Sequence, residues 1–147
     1  MLNDVYNSKI LEYAGNISHL GELENPDARS RAHSKLCGST VDVTLNMEGD
    51  KVTDFAHNVK ACALGQASSS IMASVIIGSS ASDLRQLRDT MYAMLKEEGA
   101  PPSGRFEAFR FLEPVREYKA RHASTLLTFD AVIDCLDQIE QARHAAE

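Results

Sequence analysis

The 147 residues predict an α+β fold: a small antiparallel β-sheet of two or three strands with helices packed on one face. Two observations carry this. Val41, Val43, Leu45 and Met47 alternate with Thr40, Asp42, Thr44 and Asn46, the period of a half-buried strand. After the turn residues Glu48-Gly49-Asp50, residues 52–59 return as its partner. Around this hairpin, apolar residues recur every three to four positions, as on amphipathic helices.

In order along the chain, residues 2–14 predict a helix with Leu2, Tyr6, Ile10 and Tyr13 on one face and Gly15 at its end. Residues 16–29, with Gly21, Asn25 and Pro26, read as loop. Residues 30–36 predict a short edge strand, followed by the hairpin. Residues 65–77 predict a helix with Ile71, Val75 and Ile76 inward and Gly78 as its stop. Its small face (Ala67, Ser70, Ala73, Ser74) would admit another backbone closely.

Ser80 and Asp83 have capping-box spacing for a helix over 81–98, whose buried face is Leu84, Leu87, Met91, Met94 and Leu95. Residues 100–104 are a linker. Residues 106–121 carry aromatics that want burial, but Pro114 limits any α-helix there. The last helix spans 123–142, with Leu126, Phe129, Ile133, Leu136 and Ile139 inward.

Two registers are open to the hairpin. A two-residue turn at Gly49-Asp50 sets Cys37 opposite Cys62, but also Leu45 against Asp54. A three-residue loop pairs Val41 with Val59, Val43 with His57 and Leu45 with Phe55, and sets Gly38 opposite Cys62. The second matches the apolar faces better, and faces usually decide register. Either way Cys37 and Cys62 are expected at one end of the sheet.

The chain is expected to form a single domain over residues 1–147. Its net charge of −6 argues against general nucleic-acid binding. No apolar run approaches the length of a membrane span, and Met1-Leu2-Asn3-Asp4 does not read as a signal peptide. The expected compartment is the reducing cytoplasm, where three cysteines suggest metal ligands, reactive thiols or packing rather than disulfides.

Cys62 is expected at a helix N-terminus, where the helix dipole and free N–H groups favour a thiolate. Gly38 beside Cys37 permits an unusual backbone. Cys135 sits among core positions of the last helix and is expected to be packing. His122, at the start of that helix after Arg116, Lys119 and Arg121, is a further candidate ligand. His19, His57 and His144 receive no role.

Several stretches resemble, in order, the iron–sulfur cluster assembly scaffold family of the IscU, SufU and NifU N-terminal-domain type. They are Tyr6-Asn7, Cys37-Gly38-Ser39, Ala61-Cys62-Ala63-Leu64-Gly65-Gln66-Ala67-Ser68-Ser69-Ser70, and Val115-Arg116-Glu117-Tyr118-Lys119-Ala120-Arg121. The resemblance implies a SufE/NifU-like fold. It also implies a non-enzymatic scaffold or carrier that takes sulfur from a cysteine desulfurase and passes a transient cluster, of the 2Fe-2S type, to recipient apo-proteins.

Family members use three cysteines and an Asp. By that alignment Cys37 and Cys62 carry over, whereas the Asp falls on Ser39 and the third cysteine on Ser124. Two routes would complete the ligand set: His122 as a third ligand, or a homodimer with two thiolates from each copy. Zinc at Cys37, Cys62 and His122, in a sulfur-acceptor partner of a desulfurase, is the first alternative. A metal-free interaction module on the same fold is the second.

Overall fold

The structure, a computed structural model, describes residues 7–36 and 38–146. In order these form helix α1 (Ser8–Gly15), strands β1 (Ala28–His33), β2 (Thr40–Glu48) and β3 (Lys51–Lys60), and helices α2 (Ala63–Val75) and α3 (Ala81–Lys96). Two 3₁₀ segments follow, Gly104–Glu117 and Lys119–Arg121, and then helix α4 (His122–Ala146). The strands make one antiparallel sheet in the order β1-β2-β3. Helix α4 crosses β1 and β2, and α2 packs against β3.

Both predicted registers occur in the hairpin. At its tip Glu48 pairs with Lys51 and Met47 with Val52, as a two-residue turn requires. From Asn46↔Asp54 onward the pairing slides by one, giving Leu45↔Phe55, Val43↔His57 and Val41↔Val59. Thr53 is the extra residue, a β-bulge. Consequently Val52 and Phe55, three positions apart, are both buried on the inner face with Val41, Val43 and Leu45.

The outer edge of β3 is covered near its middle. The N–H of His57 donates to the His19 carbonyl (3.0 Å), and the N–H of Gly21 donates to the His57 carbonyl (2.9 Å). The His57 ring is buried and its Nε2 lies 2.8 Å from the Ser18 carbonyl. This strap shields backbone groups that would otherwise invite strand addition.

Helix α3 matches expectation closely. Ser80 is its N-cap, its hydroxyl accepting the Asp83 N–H at 3.0 Å, and all five predicted residues are buried. Other elements differ. Asn7 has extended backbone and caps α1 by accepting the Ile10 N–H, so among the described residues the helix begins at Ser8, and the expected helix does not run unbroken through Asn7. Leu2 and Tyr6 lie outside the described residues.

Strand β1 lies two to three residues earlier than expected, because a turn closes at once behind it: the Gly38 N–H donates to the Ser34 carbonyl at 2.8 Å. Gly38 has φ +73, a conformation that favours glycine. Helix α2 also starts two residues early, with Cys62 as N-cap. Val75 is half-buried and Ser74 exposed. Ile133 in α4 is half-buried rather than core.

The segment that resisted assignment is 3₁₀ helix, kinked at Phe106. Its apolar residues Phe106, Phe109, Leu112, Val115 and Tyr118 recur every third position, which is the period of a 3₁₀ helix. Phe109, Leu112 and Val115 are buried, and the Phe109 ring packs 5.0 Å from that of Phe129 in α4. Arg105 ties this segment to the far end of α2 through the carbonyls of Val75 and Ile77.

Candidate functional site

The site forms where the sheet ends and α2 begins. The ladder closes at Thr40↔Lys60, so the chain leaving β3 delivers Cys62 beside the turn that enters β2. Three side chains from three elements meet there. The Cys62 Sγ lies 3.4 Å from the Ser124 Oγ on the first turn of α4. The Ser124 Oγ lies 3.4 Å from the Ser39 Oγ, just before β2. Ser39 and Ser124 are buried and Cys62 is half-buried. Gly65 makes this approach feasible, since a Cβ at that position would lie 2.6 Å from the Ser124 Oγ.

The electrostatics favour a thiolate at Cys62. Partial burial pushes its pKa up, but this is outweighed by the Ser124 hydroxyl, the backbone N–H groups of Gly65 and Leu64, and the Arg121 charge. The net direction is down. The two N–H groups act as open ends of the helix dipole, since Cys62 makes no side-chain cap hydrogen bond. Alkylation of Cys62 by iodoacetamide is therefore expected to rise with pH around a midpoint below that of a free thiol. Ser124→Ala should move the midpoint up, and an unmoved midpoint would deny the hydroxyl its role.

Cys37 lies outside the described residues. Ser39, two residues on, reaches the site at the end of the sheet where the hairpin register sets Cys62. Cys135 is fully buried, its Sγ facing the Val43 carbonyl at 3.7 Å. Burial, then the Asp134 charge, pushes its pKa up to about 12, so it stays an inert thiol.

His122 is engaged away from Cys62. Its Nε2 lies 3.0 Å and 3.1 Å from the carbonyls of Val115 and Arg116, and it lines a separate cavity with Leu95, Glu98 and Lys119. Two helical positions separate it from Ser124, a rotation of about 200°, so the two side chains leave α4 on opposite sides. The imidazole is a structural donor that closes the 3₁₀ segment onto α4. A zinc arrangement on Cys37, Cys62 and His122 would need this ring to turn away from both carbonyls. Among the described residues, no group of three or more His, Cys, Asp or Glu side chains is arranged to hold a metal. His122→Ala is expected to cost about 1–3 kcal/mol in chemical denaturation, by orphaning buried carbonyls. It should leave Cys62 reactivity unchanged, and a change there would return His122 to the site.

The serines are the residues that chemistry-led reading undervalues. Only the family alignment pointed to Ser39 and Ser124. A local signal was present, since the start of α4 places buried hydroxyls (Ser124, Thr125, Thr128) among leucines.

Comparison with known proteins extends the pattern. The family model described as the NifU-like N terminal domain matches residues 5–104. The crystal structure of a nitrogen-fixing NifU-like protein (N-terminal) from Brucella abortus superposes with a TM-score of 0.94 at 63% identity. It covers 95% of this chain and 97% of that one. The iron–sulfur cluster assembly scaffold protein IscU of Streptococcus pyogenes serotype M1 is 23% identical over 146 residues, 99% of this chain and 91% of the relative. A putative SUF-system scaffold protein from Fervidobacterium islandicum AW-1 shares the fold, with a TM-score of 0.82 at 22% identity over 91% of this chain and 98% of that one.

Proposed function

Since the chain belongs to the NifU-like N-terminal domain family, we propose that it is a scaffold for iron–sulfur cluster assembly, holding its cargo at Cys62 together with Cys37. The carrying observation is the Cys62 thiol at the start of α2, biased toward its thiolate and hydrogen-bonded to Ser124. Curated relatives are named as scaffolds rather than enzymes, which supports a binding role.

Ligand count sets how the cargo is held. The chain has three cysteines, and Cys135 is sealed in the core, so one copy offers at most two thiolates. The hydroxyls of Ser39 and Ser124 would have to ionise to ligate. Clusters take four ligands, mostly thiolates, so a monomer leaves positions open. That suits a small cargo, a 2Fe-2S cluster, that is loaded and passed to recipient apo-proteins.

The sulfur-acceptor reading of the same site is favoured by one observation: its chemistry needs a single activated thiolate, and Cys62 is one. The thiolate attacks the outer sulfur of a desulfurase persulfide. That S–S bond breaks, the desulfurase cysteine leaves as its thiolate, and Cys62 becomes the persulfide with no net redox change. The Ser124 hydroxyl steadies the sulfur anion before and after transfer.

The test is anaerobic reconstitution with ferrous iron and sulfide, read by visible absorbance and by iron and sulfide analysis. Wild type is expected to gain a chelator-labile chromophore that Cys62→Ala lacks. If wild type retains neither iron nor sulfide and accepts no persulfide sulfur, the metal-free interaction module becomes the better account.

A further inference from the structure

We infer that the end of the molecule around Cys62 is a docking face for a protein whose own contact surface is acidic. The inference rests on the carrier reading, because cargo can change hands only if a second protein brings a sulfur or metal up to Cys62.

The charge distribution is the first support. The chain is acidic overall, at −6. Most of its arginines are neutralised locally: Arg29 by Glu22, Arg31 by Asp42, Arg85 by Asp137 and Glu140, Arg88 by Asp130, and Arg116 by Glu113. Lys35, Lys51, Lys60, Lys96, Lys119, Arg105, Arg110, Arg121 and Arg143 pair with no carboxylate among the described residues, and of these Lys35, Lys60 and Arg121 border the site. Lys60 ends β3 two residues before Cys62, and Lys35 lies in the exposed turn after β1. Arg121 immediately precedes α4, near enough to bias the Cys62 charge. The acidic residue nearest to it in sequence, Glu117, lines the His122 cavity instead. The opposite tip of the hairpin carries Glu48, Asp50 and Asp54.

The second support is apolar. Leu36, between Lys35 and the site turn, is 75% exposed, more than any other large hydrophobic described. An exposed leucine within a cationic rim has the makings of an interface anchor, with the charges setting partner choice and approach rate. Uncompensated cations on an acidic protein select carboxylates. They also repel surfaces lined with lysine and arginine.

The experiment follows transfer of radiolabelled sulfur from the cognate cysteine desulfurase to Cys62. Raising salt from about 50 mM to about 500 mM, which shrinks the screening length severalfold, is expected to slow transfer about tenfold or more. At low salt the double variant Lys35→Glu/Lys60→Glu should fall by a similar factor. Leu36→Ser should weaken transfer while keeping the salt dependence, and Lys51→Glu at the far tip should match wild type.

Partner-free reconstitution with iron and sulfide separates the two ideas. If every variant reconstitutes normally while transfer falls only in the rim variants, docking is supported. If wild type neither reconstitutes nor accepts sulfur, the carrier reading falls and takes the docking face with it. If wild type reconstitutes but transfer ignores salt and charge reversal, the docking face alone is wrong. Loss of reconstitution in the lysine variants would mean that the cations serve the anionic cargo, which also overturns it. So would light scattering that revealed a salt-sensitive dimer abolished by the same variants, since the occupant would then be a second copy.

Discussion

Ser124→Cys is expected to slow the loss of reconstituted cluster to a chelator by about tenfold or more relative to wild type. The reason is geometric. Two thiolates on one tetrahedral ion, each about 2.3 Å from the metal, sit about 3.7 Å apart. The Ser124 Oγ is 3.4 Å from the Cys62 Sγ and 3.4 Å from the Ser39 Oγ. Ser124 therefore stands at ligand-to-ligand spacing from both Cys62 and Ser39, while the two serines lack ligand chemistry. A hydroxyl must ionise far above neutral pH to bind as a thiolate does, so exchanging its oxygen for sulfur supplies the missing donor without moving the backbone. Equal loss rates for wild type and Ser124→Cys, measured by absorbance under chelator, would mean that this position does not face the cargo.

Gly65→Ala is expected to lower stability by about 1–3 kcal/mol and to disable the site together with it. Alanine ordinarily gains about 1 kcal/mol over glycine inside a helix. Here its Cβ would stand 2.6 Å from both the Ala61 Cβ and the Ser124 Oγ, and 3.2 Å from the Ser124 carbonyl. The Ser124 hydroxyl can swing aside, but the Ala61 methyl and the backbone of α4 cannot, so overpacking outweighs propensity. Eviction of the hydroxyl removes the hydrogen bond that lowers the Cys62 pKa, and the alkylation midpoint should rise. A variant with a higher melting temperature and an unchanged midpoint would contradict the close contact of α2 with α4.

The parts legible in the sequence were those with local signals. The hairpin faces, the Ser80 cap and the buried stripe of α3 each follow from spacing within a few residues. The 3₁₀ segment was opaque because its apolar residues repeat every three positions, a period that fits neither an α-helix nor a strand. Pro114 then discouraged a helix of any kind. The engagement of His122 with the Val115 and Arg116 carbonyls is not legible from its nearness to Ser124 in sequence, because two residues along a helix point to nearly opposite sides. The cap at Asn7 is hidden in the sequence because apolar residues at helical spacing lie on both sides of it. Within the site, the position of Cys62 followed from strand and helix patterning. The convergence of Ser39 and Ser124 on it depends on contacts between residues 85 apart, which no local pattern encodes.

The bulge at Thr53 has a mechanical meaning for the sulfur end of the molecule. It works as a vernier, taking up the single residue by which the tight turn and the apolar faces disagree. Carried unbroken to the end of the hairpin, the tip pairing would press the Asp54 carboxylate against Leu45 in the core. The step at Thr53 confines that pairing to the last two rungs, Met47↔Val52 and Glu48↔Lys51. The acidic tip at Glu48 and Asp50 and the thiol at Cys62 are thus the two ends of one ribbon with a slip joint between them. The tip is free to vary in shape or length while the frame that seats Cys62 against Ser124 stays in phase.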